Sequence, residues 1–301
     1  MRSNIIKNIS GDKRLNFFLY LYWLIVAYLN IKLERYKINK KIKIYNFKPK
    51  KLHSLSKNKK LSPSRYWSDL LWQELPYKML FKRGFNALEV GCGSGTYGNF
   101  LKKNETFKSY TGLDIKKQWK SQSLKMKFFK DSCDNVDKYL NNINFLFTQS
   151  ALEHFDEDLD FHKKVSNHIN TKKNNNKKFF QLHLVPSEQC LLTYLAHGYR
   201  HFSIKSLSKI SSFYSNNKTT FLLFKLGSQN SFNIHFKYIT LPKFIPKMMS
   251  RYSDVNYTKK LDQAILKDIK NPKGIDCSFY GLMILSNYKN SEIKKIQDHY
   301  K

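Results

Sequence analysis

Ala87-Leu88-Glu89-Val90-Gly91-Cys92-Gly93-Ser94-Gly95-Thr96-Tyr97 is an apolar run that meets three alternating glycines and then opens into Gly98-Asn99-Phe100-Leu101-Lys102. This order predicts a strand, a tight turn and a helix. Glycines at 91, 93 and 95 carry no Cβ, so the backbone can take positive φ and a ligand can lie against the main chain. Dinucleotide folds write this turn as G-x-G-x-x-G. Here the spacing is G-x-G-x-G, with Glu89 two positions ahead of the first glycine, which points to a nucleotide-like cofactor other than NAD.

Working outward, Ser109 to Ile115 predicts a second strand carrying Asp114, nineteen residues after Gly95, a spacing that fits a βαβ unit. A carboxylate at the tip of that strand can accept both hydroxyls of a ribose. Met126 to Ser132 predicts the third strand and its loop, with Asp131 and Ser132 at the exit, and Asn144 to Ser150 the fourth, ending in Gln149 and Ser150. Ala151-Leu152-Glu153-His154-Phe155 then opens a helix toward Ser166. Phe179 to Ser187 predicts the fifth strand, which carries His183 and is stopped by Pro186. Phe221 to Leu226 and Ser278 to Ser286 complete seven, and the excess between them, about 229 to 276, exceeds an ordinary crossover and predicts an acceptor lid or membrane-facing flap. Ahead of the glycine turn, Arg65 to Leu75 has helical spacing, with Trp67 and Trp72 expected in the core.

The Glu-x-Gly-x-Gly-x-Gly motif at 89 to 95 and the Leu-Glu-His that follows the fourth strand resemble class I methyltransferases of the small-molecule type, which use S-adenosylmethionine (SAM). The resemblance covers about residues 65 to 290. It implies an α/β, Rossmann-like seven-stranded sheet of order 3-2-1-4-5-7-6, last strand antiparallel, with helices on both faces. It also implies SAM as cofactor, held by Glu89, Gly91, Gly93, Gly95, Asp114, Asp131, Ser132, Gln149 and Ser150, with Asp131 near the adenine amino group. Transfer to a hydroxyl needs a proton acceptor with a pKa near neutrality, which histidine meets unperturbed. His154 is the expected base, and His183, read as projecting into the cleft, is expected to orient the acceptor. Glu153 beside His154 resembles magnesium-assisted quinone methyltransferases, but Ser150 stands where such a site wants a further carboxylate, so no metal is expected. The Asn/Asp-Pro-Pro-Tyr/Phe motif of amino-group methyltransferases is missing, which favours O-methylation. The segment from Glu188 to Ser203, with His197 and His201, resembles bacterial methyltransferases of unassigned substrate, some tied to surface polysaccharide or lipid synthesis, and so implies a small or lipid- or glycan-linked acceptor.

With 301 residues, 41% hydrophobic, the chain can bury one substantial core and still carry extensions. The net charge of +32 suits an anionic partner or reflects a general Lys/Asn bias that merely solvates the surface. Cys92, Cys133, Cys190 and Cys277 form no C-x-x-C pair, which argues against a zinc or redox motif and for a reduced cytoplasmic protein. Residues 1–62 read as a basic N-terminal extension, 63–290 as the catalytic domain and 291–301 as a basic C-terminal tail. In the extension, Leu15 to Leu29 is an apolar helix of about 22 Å, shorter than the roughly 30 Å hydrocarbon core. Twelve Lys/Arg against Glu34 alone follow between Ile31 and Lys60. Three readings stay open for this helix: an anchor on an anionic inner-membrane surface through residues 15–60, a helix packed on the catalytic domain, or a span. Nucleic acid is the lesser partner. The competing functions are an RNA methyltransferase and a methyltransferase-like RNA- or membrane-binding protein without turnover.

Overall fold

Apolar runs that read as strands do so because both faces of the sheet they build are covered. Every residue but Asn86 in β2 (Phe85–Val90) is buried, as is every residue of β5 (Phe145–Gln149), β6 (Phe179–Pro186) and β8 (Phe279–Ser286), the pattern of sheet interiors packed by helices on both sides. The computed structural model describes residues 16–52, 60–119, 123–171, 174–193, 198, 200–214, 218–245 and 247–301. Residues 1–14, Leu15 as the first residue of the apolar helix, and His197 lie outside them.

The remaining strands are β1 (Ile42–Asn46), β3 (Phe107–Asp114), β4 (Met126–Lys130) and β7 (Thr219–Leu226). The sheet runs β1-β7-β8-β6-β5-β2-β3-β4, with β8 antiparallel to both neighbours and the other pairings parallel. The expected sheet of seven strands is corrected to one of eight. The added strand is β1, which pairs in parallel with β7 at the edge, Ile42 against Phe221 through Asn46 against Lys225. Its sequence alternates Ile42-Lys43-Ile44-Tyr45, and lysine on an edge strand discourages pairing with a further chain.

Helices cover both faces: α1 (Phe17–Lys32), α2 (Pro63–Gln73), α3 (Thr96–Leu101), α4 (Asp158–Ile169), α5 (Ile204–Ser212), α6 (Gln229–His235), α7 (Tyr257–Lys270) and α8 (Asn290–His299). α2 starts where Ser62 caps the Arg65 N–H and Pro63 occupies the first turn. It buries Trp67 and Trp72 in one core layer with Phe85, Phe145 and Phe180, while Leu88, Leu146, Val165 and Ile210 form the layer on the other face. The helix expected to run from Ala151 is broken: a 3-10 turn, Leu152–His154, precedes α4. The C-terminal segment is corrected from a tail to a docked helix, since α8 buries Ile293 and Ile296 and Tyr300 packs on Phe224 at 4.6 Å.

Among the described residues, α1 packs on the domain by one edge. Trp23, Ala27 and Leu191 form a small cluster, Trp23 meets His201 edge-on, and Tyr20 meets Phe244 at 5.6 Å. Phe18, Leu21, Ile25 and Leu29 face solvent. Among the described residues no helix is long and apolar enough to cross a membrane.

Candidate functional site

All three glycines of the turn take positive φ, +80° at Gly91, +51° at Gly93 and +73° at Gly95. Two of them also answer to packing: a Cβ at Gly91 would lie 2.4 Å from Cβ of Ala151, and one at Gly95 2.5 Å from the Phe128 ring. At Gly93 the nearest atom to such a Cβ is Gln118 Oε1 at 3.8 Å, so this position faces open space. That space is a cleft of about 660 Å³ walled by Gly91, Gly93, Asp114, Asp131, Ser132 and His154, with Ser150 at one end.

Asp114, at the tip of β3, braces the turn directly, one carboxylate oxygen accepting the Gly93 N–H and the other the Lys116 N–H, each at 2.8 Å. Each oxygen keeps a second lone pair for a ligand. Asp131 is held by Asn135 Nδ2, the Tyr139 hydroxyl and the Ser132 N–H, and these hydrogen bonds, the first two foremost, hold its carboxyl below the usual range. Ser132 caps the following 3-10 turn by accepting the Asp134 N–H. Asp114, Asp131 and Ser132 thus line one cleft with Gly91 and Gly93.

Glu89 is placed otherwise. It is buried beneath the turn, where it accepts the Tyr110 hydroxyl at 2.5 Å, and burial pushes its carboxyl up to about 8. It supports the turn and does not line the cleft. Gln149 also turns away, its Oε1 accepting from Trp72 Nε1 at 3.0 Å and its Nε2 donating to Ser68 at 3.3 Å, which ties the end of β5 to α2.

His183 requires a correction. The residue lies inside β6, fully buried, and cannot reach an acceptor in the cleft. Its Nε2 lies 3.3 Å from Gln181 Oε1 and its Nδ1 3.0 Å from the Thr148 hydroxyl. The Tyr214 hydroxyl donates to the same Gln181 oxygen, and His162 Nδ1 lies 3.1 Å from that hydroxyl. Desolvation lowers His183 to about 3, so it is a neutral member of an interior hydrogen-bond chain.

Ser150 is the pivot. It is one of three described non-glycine residues with positive φ, at +49°, and its N–H donates to Leu184 O. Strain of this kind persists where surrounding structure enforces it. On its far side opens a second cavity of about 700 Å³, which Ser150 also lines. Glu153, Arg65, Lys60 and Thr193 form its walls, and His235, Lys243, Arg251 and Tyr252 of the inserted segment form its roof. The insertion is docked firmly: the Trp67 indole N–H donates to Ser231, and Asp268 of α7 accepts from Ser228 and Ser231 N–H groups and the Ser228 hydroxyl. Sequence reasoning named this segment as a lid but missed Arg65, Lys243 and Arg251 as cavity residues.

No protein-family model matches the chain, and no curated protein matches it. Among solved structures it is similar to the plantazolicin methyltransferase BamL in complex with a triazolic desmethyl analogue and S-adenosylhomocysteine (SAH), at 15% identity over 70% of this chain and 81% of that one, TM-score 0.42. It is also similar to a SAM-dependent methyltransferase from Archaeoglobus fulgidus, at 14% identity over 73% and 94% of the two chains, TM-score 0.45. The functional reading rests on the residues of the site itself.

Proposed function

We propose that the chain is a SAM-dependent methyltransferase that transfers a methyl group to a hydroxyl of a small or lipid- or glycan-linked acceptor. The observation that carries this reading is the meeting of two cavities at Ser150, one floored by the glycine turn and the other roofed by the insertion. The first fits SAM on its own geometry: Gly93 leaves room for a ligand against the main chain, and Asp114 presents a carboxylate beside it. When bound, SAM supplies the electrophilic methyl group of its sulfonium. Asp114 would accept from the ribose hydroxyls, Asp131 and Ser132 would stand at the adenine end, and the turn would hold the methionine end. His154, in the wall of the cleft with Ser150, would accept the proton of the acceptor hydroxyl, whose oxygen would take the methyl group while SAH departs with the electron pair of the broken sulfonium S–C bond. Alignment across Ser150 and exclusion of water supply the rest of the rate. Calorimetric titration of the full chain with SAM and SAH tests the reading; saturable binding of both is expected, and no binding at millimolar cofactor overturns it.

The exposed apolar face of α1 further supports peripheral attachment to an anionic membrane, with the basic residues after it adding electrostatic attraction. Flotation with phosphatidylglycerol vesicles is expected at low salt and lost at high salt. Phe18→Ser, Leu21→Ser and Ile25→Ser combined, all on the solvent side of α1, should abolish it. Equal flotation of that variant leaves α1 as a helix packed on the domain and nothing more.

A further inference from the structure

The second cavity has a charge distribution that the proposed chemistry does not use. Among the described residues, Lys60, Arg65, Lys243 and Arg251 line it together with one carboxylate, Glu153. Two of the four cations are committed elsewhere. Lys60 Nζ donates to the backbone carbonyls of Tyr252 and Asp254, each at 2.8 Å, and Arg65 stacks over Tyr97 at 4.5 Å with Asp69 at 3.9 Å. The nearby Asp254 is taken by Lys260 at 2.7 Å. Lys243 and Arg251 remain, and among the described residues neither forms a salt bridge with a carboxylate. Arg251 Nη2 donates to the Tyr252 hydroxyl at 2.6 Å, a contact that fixes the guanidinium without neutralising it. Lys243 is held below its usual value by partial desolvation and by the charge of Arg251, so the pair is electrostatically unfavourable as it stands.

Two like charges that line one cavity are stabilised by an anion held there. Arginine offers a planar fork and lysine a point charge, a combination suited to the anionic oxygens of a phosphate monoester or diester. We infer that this cavity is an anion-binding acceptor site, in which Arg251 and Lys243 hold a phosphate group of the acceptor while its hydroxyl reaches Ser150. The assignment of the bound molecule as acceptor rests on the methyltransferase reading; the anion site does not. Phe244, Ile245, Met248 and Met249, all exposed, lie between Lys243 and Arg251 in the chain, and Phe244 touches Tyr20 of α1. The phosphate can therefore come from a soluble metabolite or from a lipid headgroup at a membrane.

The test is calorimetric titration of the full chain, at low ionic strength and without phosphate buffer, with inorganic phosphate and with glycerol 3-phosphate. Wild type is expected to bind both, and Arg251→Gln with Lys243→Gln should weaken them by at least about tenfold, the scale of losing charged hydrogen bonds. Lys102→Gln with Lys103→Gln removes the same charge from an exposed surface outside both cavities and should change nothing. No phosphate binding by wild type, or equal weakening in the control pair, overturns the inference. SAH is titrated separately into the same variants: unchanged SAH affinity with lost phosphate binding is the expected result. Phosphate binding with no SAH binding overturns the methyltransferase reading and leaves the anion site standing. Displacement of glycerol 3-phosphate by phosphatidylglycerol vesicles assigns the phosphate to a lipid, and its absence assigns it to a soluble acceptor.

Discussion

Replacing the glycines of the turn one at a time separates a packing requirement from a binding one. A Cβ at Gly91 would stand 2.4 Å from Ala151 and one at Gly95 2.5 Å from Phe128, whereas one at Gly93 meets nothing nearer than 3.8 Å. The left-handed conformation itself costs a non-glycine residue about 1–2 kcal/mol, and overpacking adds about 1–3 kcal/mol. Gly93→Ala should therefore lower stability by about 1–2 kcal/mol, and Gly91→Ala or Gly95→Ala by about 2–5 kcal/mol, measured by urea unfolding. Binding inverts this order. Gly93→Val fills the space against the main chain and should weaken SAH by more than about 100-fold, or about 2.7 kcal/mol, in a protein that still unfolds cooperatively. A folded Gly93→Val with wild-type SAH affinity refutes the placement of the cofactor. A Gly91→Ala variant as stable as Gly93→Ala refutes the packing argument.

Three further outcomes are expected. Asp114→Ala should weaken SAM and SAH by about 1.5–3 kcal/mol in calorimetry, since a charged acceptor is lost and the Gly93 N–H is released; unchanged affinity removes Asp114 as the ribose ligand. Once an acceptor is known, His154→Ala should lower kcat by about 10²- to 10⁴-fold with SAM affinity preserved, and near-normal kcat assigns the base elsewhere. Glu89 holds its proton in the fold up to about pH 8, whereas in the unfolded chain it ionises near its ordinary 4.5. Wild type thus loses stability from this residue as pH rises through that window, at about 1.4 kcal/mol per pH unit. Glu89→Gln keeps an acceptor for Tyr110 without the titration, so its stability relative to wild type should climb between pH 5 and 8; a flat difference shows Glu89 is ionised in the fold.

The strands around the glycine turn were legible because each is a short apolar run ended by turn residues, and an apolar run of that length has few other ways to be buried. The same uniform burial hid the orientation of His183. When both faces of a strand are covered, alternation no longer says which side chains meet the cleft, and the interior chain through Gln181, Tyr214 and His162 is assembled from three elements. β1 carried its signal openly in the alternation of Ile42 and Ile44 with lysine and tyrosine, but it lies within a block whose charge dominates the reading. α8 was masked in the same way, its Ile293 and Ile296 spaced for one helix face between lysines. Lys243 and Arg251 could not be matched to Ser150 from spacing, because about a hundred residues separate them and only the docking of the insertion brings them to one cavity.

The parallel edge formed by β1 has a consequence for how the chain comes into being. Ile42 waits for Phe221, 179 positions downstream (221 minus 42), before its first ladder bond can form. At ribosomal rates of about 5–20 residues per second, that wait lasts on the order of ten to forty seconds. α1 waits as well, since its contacts at Leu191, His201 and Phe244 are translated late. This apolar helix and this edge strand thus emerge well before the segments that cover them. During that interval their apolar side chains lack their partners and are open to a chaperone or a lipid surface, and this edge of the sheet can close only once β7 has been made.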